Sequence, residues 1–378
     1  MSSTPVEQSR TYYPGLEILR GIAACLVVLH HAYDLSGRHS SSMGWLLESF
    51  GSMGVIIFFV LSAFLLSTSL LLDKQKSILN FYIRRFFRIA PAYYFMLIVV
   101  YIFFAAPSNI YSRQGFWQSI ANLLFLQHFS PDTVSNLNVN GALWTLSVEA
   151  LLYLILPLLV FFVTKNSWIA FALMLITGYA YRMIVRGGLL NEIYFHKSNL
   201  QANQKIYLQQ QFPGWIPVFA AGIFIAVIRL RYKSTRKLQM PSWLFPVLFI
   251  PAIMVSRLIF RSSQPTSWWF TNYDLLMGLS VAVMVYVISG YSEVSGSQIS
   301  KLGLYLGKRS YGIYLWHFPI LLSVYGSSPQ EANHVHFILW ERLIVAFFVI
   351  ALFGEISFKL IEIPLIAKGK LLVQRRGN

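Results

Sequence analysis

The stretch LEILRGIAACLVVLHHAYD, residues 16–34, decides how the rest of the chain is read. It is an apolar run about as long as a bilayer is thick, which predicts a transmembrane helix, yet it holds Glu17, Arg20, His30 and His31. A charged side chain in hydrocarbon costs at least ~2.5 kcal/mol, so a span that keeps several either pairs them or uses them. Arg20 and His31 are eleven residues apart, a spacing that at ~100° per residue returns to nearly the same helix face about 16 Å further along. Both are expected to look into one interior, Arg20 near one end of the span and His31 deep in it, at two depths of a single buried channel. His30 lies ~100° around the helix and faces elsewhere.

Outward from that stretch the composition agrees with it. The 378 residues are 56% hydrophobic and only 12% charged, and the mean hydropathy is positive. A soluble domain of this length needs far more charge to cover its surface, so the fold class is all-α, a polytopic integral membrane protein. Continuous rather than alternating apolar runs exclude a β-barrel. A window of ~19 residues gives about ten transmembrane helices, near 16–34, 50–71, 90–106, 142–163, 167–185, 213–230, 242–260, 271–290, 309–326 and 337–357. One cysteine, Cys25, allows no intramolecular disulfide and no cysteine-based metal site. Residues 1–15 lack the basic start of a cleavable signal, so the first span is expected to be retained.

The net charge of +16 reflects where the cations fall, not a nucleic-acid partner. DKQKSILNFYIRRFFR (73–88), RLRYKSTRK (229–237), the segment with Lys301, Lys308 and Arg309, and the tail from Lys359 to Arg376 all lie on one side of the spans. By the positive-inside pattern that side is cytoplasmic, and with an even number of spans both termini are expected there. The opposite side receives residues 35–49, the long loop 107–141, the loop 186–212 and the segment around Glu331. Within it NEIYFHKSNLQANQKIYLQQQF (191–212) is rich in Asn and Gln, suited to hydrogen-bonding a polyhydroxylated ligand or simply to being a solvated connector.

Three further constellations carry chemistry. IRRFFRIAPAYY (83–94) puts Arg85 and Arg88 on one helix face just before a span; such forks bind phosphates bidentately, and juxtamembrane cations also bind anionic membrane lipid. NGALWTLSVEALLYLILP (140–157) buries Glu149, and an intramembrane carboxylate is a functional candidate. Trp144 and Tyr153 beside it read as an interfacial anchor and core packing. SYGIYLWHFPI (310–320) buries His317. A histidine with a carboxylate partner is the usual equipment of general-base catalysis. Neither HExxH nor clustered ligand spacing occurs, so no metal is expected, and the absence of a glycine-rich phosphate loop gives no support for an ATP-driven pump.

Taken together the motifs resemble the membrane-bound acyltransferase 3 family, integral-membrane O-acyltransferases that decorate lipopolysaccharide, exopolysaccharide, peptidoglycan, Nod factors and some macrolides. The matching pieces are LEILRGIAACLVVLHH (16–31), IFFVLSAFLL (57–66), RRFFRIAPAYY (84–94), LWTLSVEALLYLILP (143–157), SYGIYLWHFP (310–319) and FKLIEIPL (358–365), in family order over nearly the whole chain. The resemblance makes Arg20 and His31 the essential arginine and histidine of the first span, Arg85 and Arg88 the arginine pair, and Glu149 and His317 the buried glutamate and later histidine. Ala63 stands where glycine is usual, Glu17 where aspartate is common, and Ala150 and Leu151 replace a polar pair, none of which removes a candidate group. The chain ends in a short basic tail, so a single domain over residues 1–378 is expected, without the SGNH hydrolase-like extracellular domain that some members carry.

The resemblance implies a bacterial inner-membrane, multi-pass enzyme that moves an acyl group, acetyl from acetyl-CoA, to a hydroxyl of a carbohydrate-type acceptor or of a small cytosolic one such as a macrolide. The polyanionic coenzyme then needs cations at the inner mouth, supplied by Arg85, Arg88 and Arg20. Further in, His31, with Glu149 as orienting partner, takes the hydroxyl proton, or else carries the acyl group itself. The rival reading, a transporter with His and Glu as proton relay, predicts broken helices or inverted repeats and gives the arginine pair no task.

Overall fold

The computed structural model describes residues 12–36, 44–73, 77–103, 112–129, 138–195, 202–232, 239–261, 272–325 and 338–377. The segment around Glu331 and parts of the loops expected at 35–49, 107–141, 191–212 and 229–237 lie outside the described residues.

All ten expected spans fall on helices. These are α1 (Pro14–Leu35), α2 (Gly44–Leu72), α3 (Ile78–Phe103), α5 (Trp144–Lys165), α6 (Ser167–Arg186), α9 (Phe212–Arg231), α10 (Leu244–Arg261), α11 (Tyr273–Ile288), α12 (Gln298–Tyr325) and α13 (Ile338–Ser357). Between them lie the short helices α4 (Arg113–Leu123), α7 (Leu189–Phe195) and α8 (Ala202–Gln209). A π-helical turn, Phe358–Glu362, carries α13 directly into α14 (Ile363–Gly377). Among the described residues seven helical stretches are long and apolar enough to cross a membrane. α10 and α11 are apolar but shorter, and α12 carries Lys301, Lys308 and Arg309 in its first half.

α1 is the centre of the bundle because its opposite faces enter two different cores. Leu16, Leu19, Ala23 and Val27 pack with α2, α5, α9 and α11, while Ala24, Val28 and Ala32 pack with α3, α12 and α13. Its most extensive neighbours are α12 and α2. The approach to α12 is at backbone distance: a Cβ on Gly21 would lie 2.8 Å from the Gly307 nitrogen and 3.0 Å from the Gly303 oxygen. Only residues without side chains fit there, which is how helices in membranes pack tightly without a hydrophobic drive between them.

Two groups of charges inside the bundle are paired. Arg182 bonds Asp274 at 3.0 Å and donates to the Gly214 carbonyl at 2.7 Å, tying α6, α11 and α9 together. Arg309 grips Glu355 through two nitrogens, and Lys359 and Tyr305 reach the same carboxylate at 2.8 Å. Large apolar side chains left outward on α3, α5, α6, α10 and α13, such as Ile98, Phe161, Ile176, Met254 and Phe348, form the surface that lipid tails cover.

Candidate functional site

A cavity of about 670 Å³ opens between α1, α2, α3, α5, α12 and α14. Its two ends differ in chemistry. One is lined by Arg20, Arg84, Arg85, Arg88, Lys308 and Lys370. The other is lined by Val55, Phe58, Phe59, Thr145 and Tyr314, with Ser62, Glu149 and Tyr153 between. The stretch IRRFFR was expected to precede a span beginning near residue 90. It lies instead in the second and third turns of α3, so its arginines ride on the same helix that crosses the bundle. They are not equivalent. Arg84 bonds Asp73 at 3.0 Å, whereas Arg85 and Arg88, the pair singled out in the sequence, line the cavity together. Arg20 also lines it and bonds Glu17 at 3.2 Å, one turn away on α1.

Glu149 sits where the cationic and aromatic parts meet, but the expected pairing with His31 is not formed. One of its oxygens, Oε1, accepts from the Ser62 hydroxyl at 2.5 Å and from the Tyr153 hydroxyl. Tyr153, expected as packing, is therefore a hydrogen-bond donor to the buried carboxylate, while Trp144, expected as an interfacial anchor, packs among Phe59, Trp215 and His128. A contact between positions 62 and 149 leaves no trace in helical periodicity; the signal available was the lone hydroxyl in the apolar run IFFVLSAFLL.

His31 is oriented by the other histidine. The His317 Nε2 lies 3.2 Å from His31 Nδ1, and the rings stand 5.0 Å apart. Two carbonyls favour one placement of the ring protons. His317 Nδ1 is 2.5 Å from the Tyr314 oxygen and His31 Nδ1 is 3.1 Å from the Val27 oxygen; a carbonyl only accepts, so the assignment that satisfies both contacts puts hydrogen on both Nδ1 atoms. In the neutral pair the His317 Nε2 lone pair then accepts from His31, and the His31 Nε2 is left with its lone pair available. That is the tautomer a general base needs. His30 turns away, with Nδ1 3.3 Å from the Leu47 carbonyl and its ring against Gly51.

The single channel expected to run from Arg20 to His31 is interrupted. Among the described residues the lining includes Arg20 but neither His31 nor His317. Tyr314 stands between: its ring is 5.3 Å from that of His317 and 5.7 Å from that of Phe58. Its hydroxyl is held by Thr145 at 2.5 Å and the Ala142 carbonyl at 2.7 Å. Tyr314 and His317 are three residues apart on α12, so the cavity stops about 4.5 Å of helix rise short of the histidines. Among the described residues no three His, Cys, Asp or Glu side chains are arranged to hold a metal ion.

Comparison with known proteins follows the same lines. The O-acetyltransferase OatA of Staphylococcus aureus (strain NCTC 8325 / PS 47) is 25% identical over 96% of this chain and 58% of its own length. The peptidoglycan O-acetyltransferase OatA of Listeria monocytogenes is 26% identical over 96% of this chain and 57% of its own. The chain thus spans just over half the length of these relatives. No solved structure matches it. A family model described as an acyltransferase domain matches residues 13–356, which include every candidate site residue named above except Lys370, and the chain belongs to that acyltransferase 3 family.

Proposed function

We propose that the protein is a membrane O-acetyltransferase that takes an acetyl group from acetyl-CoA at the cytoplasmic face and transfers it to a hydroxyl of a carbohydrate acceptor. The observation that carries this reading is the polarity of the cavity, with six cations at one end and, at the other, an aromatic end whose Tyr314 packs against the His31–His317 pair. A donor that is polyanionic at one end and a neutral thioester at the other is oriented by such a cavity in one way only. The relatives, named as O-acetyltransferases and in one case as acting on peptidoglycan, support a glycan acceptor. The positive-inside pattern of the basic connections supports a cationic mouth and both termini on the cytoplasmic side of a bacterial inner membrane.

Arg85 and Arg88 bind the coenzyme phosphates, with Arg20 nearer the thioester. Glu149, held by Ser62 and Tyr153, belongs to the wall along which the donor arm lies. Beyond the far end, with the Tyr314 ring turned aside in the reacting complex, His31 Nε2 removes the proton from the acceptor hydroxyl as its oxygen attacks the thioester carbonyl. The C–S bond breaks, and the proton leaves His31 with the thiolate, giving the acetyl ester and free CoA. While His31 is charged, His317 Nε2 and the Val27 carbonyl both accept from its Nδ1–H, so His317 takes the orienting role first expected of Glu149.

The test is thioester consumption by the purified protein. Release of free CoA that depends on an added glycan, with peptidoglycan fragments as the first acceptor offered, is expected. Release that no hydroxyl-bearing acceptor stimulates would overturn the reading.

A further inference from the structure

The aromatic end of the cavity has a shape that the transfer reaction alone does not require. We propose that Phe58 and Tyr314 set the length of the acyl group, limiting the donor to a two- or three-carbon thioester. The inference rests on the donor orientation proposed above and deepens it.

With phosphates held at the cationic mouth, the acyl tip is the leading end of the donor and meets whatever closes the cavity. That closure is Phe58 of α2 edge-on to Tyr314 of α12, ring centroids 5.7 Å apart and planes at 74°. The Tyr314 ring does not swing aside at little cost, and the α2 backbone that carries Phe58 is fixed against α1. Tyr314 is 7% exposed and its hydroxyl is pinned to Thr145 and to the Ala142 carbonyl. Behind Phe58 the next turn of α2 is locked, because a Cβ on Gly54 would come within 2.7 Å of the Ala23 oxygen on α1. An acyl chain longer than the remaining space must displace a buried ring whose polar atom would then lose its partners. A pocket of this kind discriminates by about 10- to 200-fold per methylene that does not fit.

The experiment compares donor affinities within each protein: detergent-purified wild type, Phe58→Ala, and the milder Phe58→Leu, which keeps most of the side-chain volume in case the alanine variant folds poorly. Acetyl-CoA, propionyl-CoA and butyryl-CoA are titrated, and melting of the same samples reports folding. Wild type is expected to bind butyryl-CoA at least about tenfold more weakly than acetyl-CoA. Phe58→Ala should bring the two within about threefold, with Phe58→Leu between. Equal wild-type affinity for all three donors overturns the proposal, as does undiminished discrimination in both folded variants. Failure of wild type to bind any CoA species refutes the donor reading itself, and this inference falls with it; that outcome differs from binding without discrimination.

Discussion

Replacing His317 by phenylalanine tests the orientation of the base without removing the base. Phenylalanine keeps a ring of similar size between Tyr314 and Phe318, so the packing loss is small, but it removes the Nε2 acceptor 3.2 Å from His31 Nδ1. In the ground state that is one neutral hydrogen bond. In the transition state His31 is an imidazolium, and a hydrogen bond from a charged donor is worth ~1.5–3 kcal/mol. The neutral bond lost from the ground state offsets ~0.5–1.5 kcal/mol of this, leaving ~1–1.5 kcal/mol, so at 1.36 kcal/mol per factor of ten the turnover number should fall by about 5- to 13-fold. The Val27 carbonyl, 3.1 Å from the same nitrogen, still fixes the tautomer, which keeps the loss below that of deleting His31. KM for the donor should hold, because the cations lie at the other end of the cavity. His317→Gln, which returns an acceptor oxygen, should recover most of the rate. The assay is acetyl transfer to a glycan acceptor, with thermal melting of the same samples. Unchanged turnover in folded His317→Phe, or glutamine no better than phenylalanine, would refute the argument.

Arg85→Ala and Arg88→Ala should each weaken acetyl-CoA binding by about 10- to 150-fold, the cost of one charge-assisted contact. Arg84→Ala should do much less, since its partner is Asp73; calorimetric titration separates the three. His31→Ala should lower turnover by ~100-fold or more with melting retained, and His30→Ala should be far milder in the same assay. Burial of His128 against Trp144 and Tyr207 pushes its imidazole down to about 4. The unfolded chain, with the ordinary value near 6.5, therefore binds that proton more readily. The contribution of this group to stability is full above about pH 6.5 and is lost as pH falls toward 4, so melting temperature measured across that window should drop less in His128→Gln than in wild type. A cysteine placed at position 77, beside the basic end of α3, should be labelled by an impermeant reagent from the cytoplasmic side only.

Much of this arrangement is legible in the residues. The ten apolar runs fall on helices because in lipid the backbone has no other way to satisfy its hydrogen bonds. Arg20, Arg85, Arg88 and Glu149 reach one cavity because buried charge needs company. Helix starts were harder. Hydropathy cannot see that α3 begins at Ile78 and α12 at Gln298, since the early turns of both carry cations, of which Arg84, Arg85, Arg88 and Lys308 line the cavity. Partners across the bundle were not legible either. The contacts of Ser62 with Glu149 and of His31 with His317 join positions 87 and 286 residues apart, and no local period encodes them. Lys370 joins the site only because the π-helical turn steers α14 back against α3, where Gly369 lies against Phe87.

The close approach of α1 to α12 at Gly21, Gly303 and Gly307 has a consequence at the opposite end of both helices. His31 and His317 sit ten residues beyond Gly21 and Gly307 respectively, about 15 Å along each helix axis. Two rods in backbone contact at one end have little freedom to change their separation at the other. The 3.2 Å between the imidazoles is thus set by parts that carry no chemistry. A methyl group added at position 21 is a wedge, and its effect would appear as a misaligned base rather than as a damaged core.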